Sequence, residues 1–307
     1  MFNFIKVKNN TIITFIIIFF LLCIGIIPII NTYSKNLETL SNNILENNQE
    51  YDFDCDGKKD KLTIISTNST YSIKITNSAG EILLKSNEFD YSLLDITSSC
   101  SINISYIDLN RNKIPEIIIS GFKNNSPTFY IFQWIDNNFK EVLFSQNNIL
   151  GILDYNNSRT PKIFITNSTI GDKGTNSYIL NSKSLKDITF SAQTIPSLGN
   201  IQKLIDIIEA DYEITDAPDI FTSYIPSAEL GILWNLTKST YGYSFQKGYF
   251  YDVSWDQSGK ATSIYWILSF EKVNFIDSNS TPKELTIYVK TNLEEQNEYK
   301  ISSIIKN

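Results

Sequence analysis

The pattern of hydrophobic and polar residues divides the chain into one N-terminal apolar segment and a much longer region of short alternating runs. The apolar segment, TIITFIIIFFLLCIGIIPII, begins at Thr11, and no charged residue occurs between Lys8 and Lys35. Twenty helical residues at about 1.5 Å each span roughly 30 Å, the thickness of the hydrocarbon core of a bilayer. The pattern therefore predicts a transmembrane helix, which we assign to residues 11–31.

The residues that flank this helix predict its orientation. Lys6 and Lys8 precede it, whereas one lysine and three glutamates follow it in residues 32–50. The positive-inside rule then places residues 1–10 in the cytoplasm and the rest of the chain outside. The apolar run is longer than that of a cleaved signal peptide and lacks a small-residue cleavage site, so we expect an uncleaved signal anchor followed by a stalk. The prediction is a single-pass protein of the cell membrane with an extracytoplasmic C-terminal part.

Beyond the stalk, short alternating runs predict a mainly β chain. Runs such as KLTIIST, YSIKITN, EIIISGF and FYIFQWI are rich in β-branched and aromatic residues and are separated by turn sequences such as SAG and DNN. Four such runs lie between the first acidic loop, described below, and the second, which is the strand number of a propeller blade. We therefore expect β-propeller-like repeats over residues 51–195.

The character of the chain changes over residues 196–307. GNIQKLIDIIEADYE permits either a helix or a strand, and PSAELGILWNLTKS predicts a helix. Two long alternating runs surround each of the turn sequences DQSG and NLEEQN, which predicts two β-hairpins. We expect a C-terminal α+β domain here. The alternative is that these strands form the remaining blades of a propeller.

The most specific chemical motif is DFDCDGKKD, which begins at Asp52. Calcium takes six to eight oxygen ligands, and acidic residues at alternate positions let a tight turn direct several carboxylates inward. Gly57 supplies the positive φ that a sharp bend needs. A β-branched run follows, where an EF-hand would have a helix. The motif therefore predicts a calcium site whose ligands are Asp52, Asp54, Asp56, the backbone carbonyl of Lys58, and Asp60.

The same frame recurs along the chain. DLNRNKIPEIII begins at Asp108, DYNNSRTPKIFI begins at Asp154, and a fainter copy, DYEITDAPDIF, begins at Asp211. The spacing of roughly 50 residues indicates a repeated structural unit. The third loop has Lys162 at the ninth position, so we expect it to keep the turn without a metal. The second loop predicts a weaker calcium site, with the ligands Asp108, Asn110, Asn112, Ile114 and Glu116.

These segments resemble a known repeat. DFDCDGKKDKLTII and YIDLNRNKIPEIII are similar to the VCBS/FG-GAP repeats of integrin-α-like β-propellers, over roughly residues 50–165. The resemblance implies a membrane-anchored bacterial protein of this type, with calcium bound by the loop on the connection between blades. It also carries the ligands named for the first loop over to the same five positions.

Composition narrows the chemistry. The chain has 307 residues, a net charge of −7 and no histidine. Without histidine there is no Ser-His-Asp or Cys-His catalysis and no histidine metal site, and no other catalytic motif is recognisable. The acidic balance provides no basic surface for nucleic acid. We therefore expect a non-enzymatic protein that does not bind nucleic acid. Cys55 and Cys100 either pair in an oxidising compartment or remain free thiols.

These features predict a membrane-tethered binding or adhesion protein with a calcium-stabilised repeat domain, whose ligand is an unknown protein or glycan. The first alternative is an envelope sensor or accessory subunit whose C-terminal domain binds a protein partner. A minor alternative is a carbohydrate-active protein. Tyr249, Tyr251 and Trp255 are expected on one strand face with Trp266 on the neighbouring strand, which is either a platform for sugars or a buried hydrophobic face.

Overall fold

The structure is a computed structural model, and it describes residues 51–307 except for 155–158, 169–173, 192–194, 213–215, 217 and 278. The predicted cytoplasmic tail, transmembrane helix and stalk lie outside the described residues. In the part that is described, no helix is both long enough and apolar enough to cross a bilayer. All described residues belong to one compact unit, and it is built mainly of strands, which confirms the mainly β prediction.

The first sheet contains eight strands. They are β1 (Lys61–Thr67), β2 (Thr70–Asn77), β3 (Gly80–Leu83), β4 (Leu94–Asp95), β5 (Asn103–Ile107), β6 (Glu116–Lys123), β7 (Ser126–Ile135) and β8 (Asn138–Ser145). The order of neighbours is β1-β2-β4-β6-β7-β8, with β3 paired to β2 and β5 paired to β6. The turns are local in origin, since Asn124-Asn125 and Asp136-Asn137 both have positive φ, as two-residue hairpin loops require.

The second sheet also contains eight strands. They are β9 (Ile149–Leu153), β10 (Lys162–Thr166), β11 (Asn176–Leu180), β12 (Leu185–Asp187), β13 (Tyr241–Trp255), β14 (Ala261–Asn274), β15 (Lys283–Leu293) and β16 (Tyr299–Lys306). Their order is β12-β11-β10-β9-β13-β14-β15-β16, and only β9 and β13 pair in parallel. The second sheet therefore combines strands from before and after the boundary expected at residue 195.

Two helices follow the third repeat, α1 (Leu198–Glu209) and α2 (Ser227–Trp234). Apolar residues of α1 recur at helical spacing and are buried, so the helix alternative is right for this segment. Both helices pack on β16, and α1 also packs on β13. The two predicted C-terminal hairpins are confirmed as β13–β14 and β15–β16. These strands extend the sheet of the third repeat, and neither sheet closes into a ring within the described residues.

The strands β6 and β7 are buried on both faces. Ile117 and Ile119 belong to one apolar cluster together with residues of β1 and β2, whereas Ile118 belongs to a second cluster together with residues of β9 and β10. Successive side chains of a strand point to opposite faces, so the second repeat packs between the first and the third. A third cluster lies between the second sheet and the two helices.

The structure corrects the position of the repeated loops. Strands β5 and β6 are antiparallel neighbours with Ile107 opposite Glu116, so the second loop connects two strands of one hairpin. The third loop connects β9 and β10 in the same way, and around the first loop Tyr51 forms an antiparallel bridge with Asp60. The prediction of a loop on the connection between blades is therefore wrong. A tight loop brings its flanking strands side by side, so the strand before each loop belongs with those that follow it.

The fainter fourth copy of the frame includes residues outside the described ones, and its described residues do not join two paired strands. Asp211 comes shortly after the end of α1 at Glu209, and the next extended residue, Phe221, bridges to Ile301 in β16. In the described residues the second and third loops therefore each join two paired strands, and a single antiparallel bridge closes the first loop.

Candidate metal site

The first loop, residues 52–59, is held by hydrogen bonds between carboxylates and backbone amides. Asp52 accepts from the amides of Asp56 at 3.0 Å and Gly57 at 2.9 Å. Asp54 accepts from the amide of Asp56 at 3.1 Å. Gly57 has a φ of +83°, which confirms the reason for a glycine at this position. Short polar side chains that bind their own backbone create a tight turn without help from distant residues.

Three of the predicted ligands meet inside this turn. One carboxylate oxygen from each of Asp52, Asp54 and Asp60 lies within 4.8 Å of the other two. No lysine or arginine forms an ion pair with any of the three in the described structure. Three acidic groups this close repel each other, so the arrangement favours a bound cation.

Asp60 gives the strongest indication of a missing partner. Its side chain is buried, with 1% of its surface exposed. Its Oδ2 atom accepts from the amide of Phe53 at 2.7 Å, whereas Oδ1 has no hydrogen-bond donor among the described residues. Burial raises the pKa of Asp60, and the charges of Asp54 and Asp52 raise it further. A buried polar atom without a partner costs about 1–3 kcal/mol, and a charged one costs more.

Phe53 connects the acidic loop to the hydrophobic core. It lies between Asp52 and Asp54 in the sequence and is fully buried. Its ring packs against Tyr106 at 5.2 Å and Phe139 at 6.2 Å between centroids. The order of the acidic cluster is therefore coupled to the core that β1 and β2 share with β6 and β7.

The predicted ligand Asp56 does not belong to the cluster of three carboxylates. Asp56 accepts a hydrogen bond from the hydroxyl of Ser78 and another from the amide of Lys58 at 2.7 Å. These bonds, that from Ser78 first, lower the pKa of Asp56. Asn77 donates to Asp54 at 2.9 Å. Sequence reasoning missed Asn77 and Ser78, because they reach the loop from the β2–β3 turn, and their only sequence signal is that of a turn.

The second loop repeats the hydrogen bonds that the first loop forms between its side chains and its own backbone amides. Asp108 accepts from the amides of Asn112 at 3.1 Å and Lys113 at 2.9 Å, and Asn110 accepts from Asn112 at 2.9 Å. Lys113 has a φ of +71° where Gly57 has +83°. The amide of Ile114 donates to the side chain of Asn112 at 2.8 Å. The recurring sequence frame therefore specifies a recurring turn, even with lysine at the glycine position.

The two loops differ at the carboxylate in the ninth position. Glu116 corresponds to Asp60 and is equally buried, and its Oε2 atom accepts from the amide of Leu109 at 2.7 Å. Its Oε1 atom accepts from the side-chain amide of Asn110 at 2.6 Å. In the first loop, Asp54 stands where the second loop has Asn110, and an ionised carboxylate has no proton to donate to Asp60. In the second loop, the side chain of Asn110 therefore supplies the donor that the carboxylate at the ninth position of the first loop lacks.

Glu116 gives the protein a measurable dependence on pH. Burial raises its pKa from the usual value near 4.5 to about 7. Between these two values the folded chain binds a proton that the unfolded chain does not, so the free energy of unfolding falls as pH rises through this window and levels off above it. The loss is at most roughly 3 kcal/mol. Urea unfolding in EDTA at pH 5.0, 6.0 and 7.5 measures it.

The control is Glu116→Gln, which removes the titrating group. The difference between the wild-type and variant profiles isolates Glu116 from Asp60, whose raised pKa acts in the same direction. Parallel profiles for the two proteins would contradict the assignment.

The third loop is linked to the second by an ion pair. Asp154 accepts from the backbone amide of Arg159, as the first aspartates of the other loops accept from their sixth residues. The guanidinium of Arg111 in the second loop lies 3.0 Å from the carboxylate of Asp154. Lys162 stands at the ninth position. The third loop thus has a lysine where the first loop has the proposed ligand Asp60.

The predicted aromatic platform on β13 and β14 does not form as a single face. Trp266 is fully buried and stacks on Phe250 at 4.4 Å, so it faces the helices, whereas Tyr251 lies opposite Tyr265. A bulge between Asp252 and Ser254 changes the side on which the following residues point. The buried alternative is right for Trp266. Elsewhere, Cys55 is exposed, Cys100 is buried, and both are free thiols.

No protein-family model, no curated protein and no solved structure matches this chain. The resemblance to VCBS/FG-GAP repeats therefore stays a prediction.

Proposed function

We propose that the described residues form the extracytoplasmic part of a membrane-tethered, non-enzymatic binding or adhesion protein, and that calcium in the first loop stabilises its repeats. The observation that carries the proposal is the buried Oδ1 atom of Asp60, which lacks a donor beside two further carboxylates. A divalent cation supplies the partner that this atom lacks and cancels the repulsion between Asp52, Asp54 and Asp60.

Calcium suits the oxygen ligands of this site, whereas soft transition metals do not. Its ligands are oxygen atoms at 2.3–2.6 Å, so two ligands on opposite sides of the ion are about 5 Å apart. Separations of up to 4.8 Å between the three carboxylate oxygens are compatible with that geometry. Backbone carbonyls, with that of Lys58 as the predicted one, and water complete the coordination. The sites of soft transition metals use thiolate or imidazole, and the chain has no histidine.

The packing of the repeats supports a propeller-like arrangement of the three loop-bearing units. The second unit shares one apolar cluster with the first and a separate cluster with the third. The ion pair between Arg111 and Asp154 joins the loops of neighbouring units. In this proposal the loops lie at one end of the units, and the calcium loop begins directly after the stalk. Calcium then orders the junction between the tether and the repeats.

Limited trypsin digestion of intact cells tests the orientation and the metal together. Lys58, Lys59 and Lys61 are potential cleavage sites within or next to the first loop. We expect external trypsin to cut there in EDTA, and millimolar calcium to slow this cut at least several-fold, because binding reduces the population of the open loop. Mass spectrometry of the released peptides measures the rate at each lysine.

Cleavage at Lys113 in the second loop is the internal control, since that loop is closed by Asn110 and its rate should not respond to calcium. A protein that trypsin cannot reach on intact cells would contradict the orientation. Equal rates at the first loop with and without calcium would contradict the metal site.

A further inference from the structure

A cavity of about 1060 Å³ opens at one end of the second sheet. It is lined by the ends of β9, β10 and β13, by the β13–β14 turn, by the start of α1 and by the segment between β15 and β16. Its volume is at the upper end of that of small-molecule pockets. The cavity shares no residue with the acidic cluster of the first loop, so any ligand that it binds is distinct from the calcium proposed there.

Three cations that line this cavity, Arg159, Lys162 and Lys260, form no ion pair in the described structure, and Lys260 donates to the side-chain oxygen of Asn297 at 2.8 Å. Lys162 is half-buried, and its ammonium group forms no hydrogen bond or ion pair with any described residue. The guanidinium of Arg159 donates to the carbonyl of Ser258 at 2.8 Å and forms no ion pair in the described structure. A guanidinium has five N–H donors, so Arg159 keeps donors for a ligand.

The β13–β14 turn is shaped to hold Arg159. Gly259 has a φ of +80°, and a Cβ atom there would lie 2.3 Å from the central carbon of the guanidinium. Only glycine permits this approach without displacing the arginine. The hydrogen bond to Ser258 and the absence of a side chain at Gly259 place the guanidinium at the edge of the cavity.

The acidic residues that line the cavity are already engaged. Asp154 pairs with Arg111, and Asp252, with 3% of its surface exposed, accepts from the amide of Asp154 and from the indole N–H of Trp255, both at 2.6 Å. Glu298 is exposed and lies 3.9 Å from Lys300. None of these acidic residues forms an ion pair with Arg159 or Lys162 in the described structure.

Two further features favour an anion with an apolar portion. The backbone amides of Gly199 and Asn200 belong to the first turn of α1, which lines the cavity, and helix N-termini favour negative charge. Trp255 also lines the cavity, and because Asp252 occupies its N–H group, the remaining surface of its ring is apolar.

We propose that this cavity binds a small organic anion, whose carboxylate or phosphate group lies between Arg159 and Lys162 and whose ring packs against Trp255. An acidic sugar and a sugar phosphate share this chemistry. Arginine binds both groups through paired hydrogen bonds, and lysine adds a point charge. A neutral sugar of the same size lacks the group that the two cations recognise.

Calorimetric titration of the full-length protein with glucuronate, glucose 6-phosphate and glucose tests the proposal. We expect at least one of the two anions to bind, and glucose to bind at least tenfold more weakly. Lys162→Gln and Arg159→Gln should each weaken anion binding roughly tenfold or more, since hydrogen bonds to charged groups are the strong ones. The matched control is Lys186→Gln, on the exposed face of β12 in the same sheet.

The pattern across the ligands identifies the anion. Binding of glucuronate alone assigns a carboxylate site, binding of glucose 6-phosphate alone assigns a phosphate site, and binding of both assigns a general oxyanion site. Unchanged melting of Lys162→Gln confirms that the variant is folded. Failure of both anions to bind more tightly than glucose would overturn the proposal, as would binding that neither substitution weakens.

Discussion

Replacing Asp54 with asparagine is expected to abolish the response of the protein to calcium and to stabilise the calcium-free form. Extracellular calcium modules bind calcium with dissociation constants of about 10⁻⁴–10⁻³ M. With such an affinity, 10 mM calcium adds roughly 1.4–2.7 kcal/mol to the free energy of unfolding of the wild type. For a chain of this size the melting temperature then rises by about 2–5 °C. Asp54→Asn removes one of three clustered carboxylates and supplies a donor for Asp60, as Asn110 does for Glu116 at 2.6 Å.

The reciprocal substitution in the second loop is the matched control. Asn110→Asp removes the donor from Glu116 and places three acidic residues in the turn that Asp108 and Glu116 already share. We expect this variant to melt at a lower temperature in EDTA and to gain a response to calcium. Scanning calorimetry of the full-length protein in EDTA, 10 mM calcium and 10 mM magnesium measures all three proteins. A wild type whose melting is the same in EDTA and calcium would end the metal hypothesis.

The turn geometry of the loops could be predicted from the sequence because it is local. Asp, Asn and Gly at fixed offsets bind their own backbone, so the frame that begins at Asp52 and the frame that begins at Asp108 give the same hydrogen bonds. The difference between the loops could not be predicted with the same certainty. The difference depends on whether the third residue of the loop, Asp54 or Asn110, donates a hydrogen bond to the carboxylate at the ninth position. That contact is a property of the folded geometry.

Strand pairing was less accessible from the sequence than the strands themselves. The alternating runs located most strands but missed β4, β9, β11 and β12, and alternation does not specify which strands are neighbours. The parallel pairing of β9 with β13 joins residues about 100 positions apart, with Gly151 opposite Phe250, and no local pattern announces it. A Cβ atom at Gly151 would lie 2.0 Å from the ring of Phe250, so the glycine is explained only once this non-local contact is known.

The face to which a side chain points is likewise a product of register. Tyr251 and Trp266 were expected on one surface because their strands form a hairpin, yet the pairing places Phe250 opposite Trp266. A shift of one residue moves every side chain to the other face. In β6 and β7 the side chains also alternate between faces, but both faces of these strands are apolar and both are covered.

Substitutions at adjacent positions of β6 are therefore expected to be costly on both faces. Ile118 and Ile119 point to opposite clusters and are 3% and 0% exposed. Ile118→Ala and Ile119→Ala should each lower the free energy of unfolding by about 2–5 kcal/mol, because each leaves a cavity in a packed core. A sheet covered on one face would tolerate one of the two. Urea unfolding monitored by tryptophan fluorescence and circular dichroism measures both values.

Leu83→Ala is the control for the loss of an aliphatic side chain from the same sheet, because Leu83 in β3 is 43% exposed, and it should cost under about 1 kcal/mol. A similarly small cost for either isoleucine would contradict burial on both faces. Ile119 shares its cluster with Phe53, which lies between two of the proposed calcium ligands. If the three clusters unfold as one cooperative unit, calcium shifts the whole transition, and the two probes give the same midpoint before and after the ion is added.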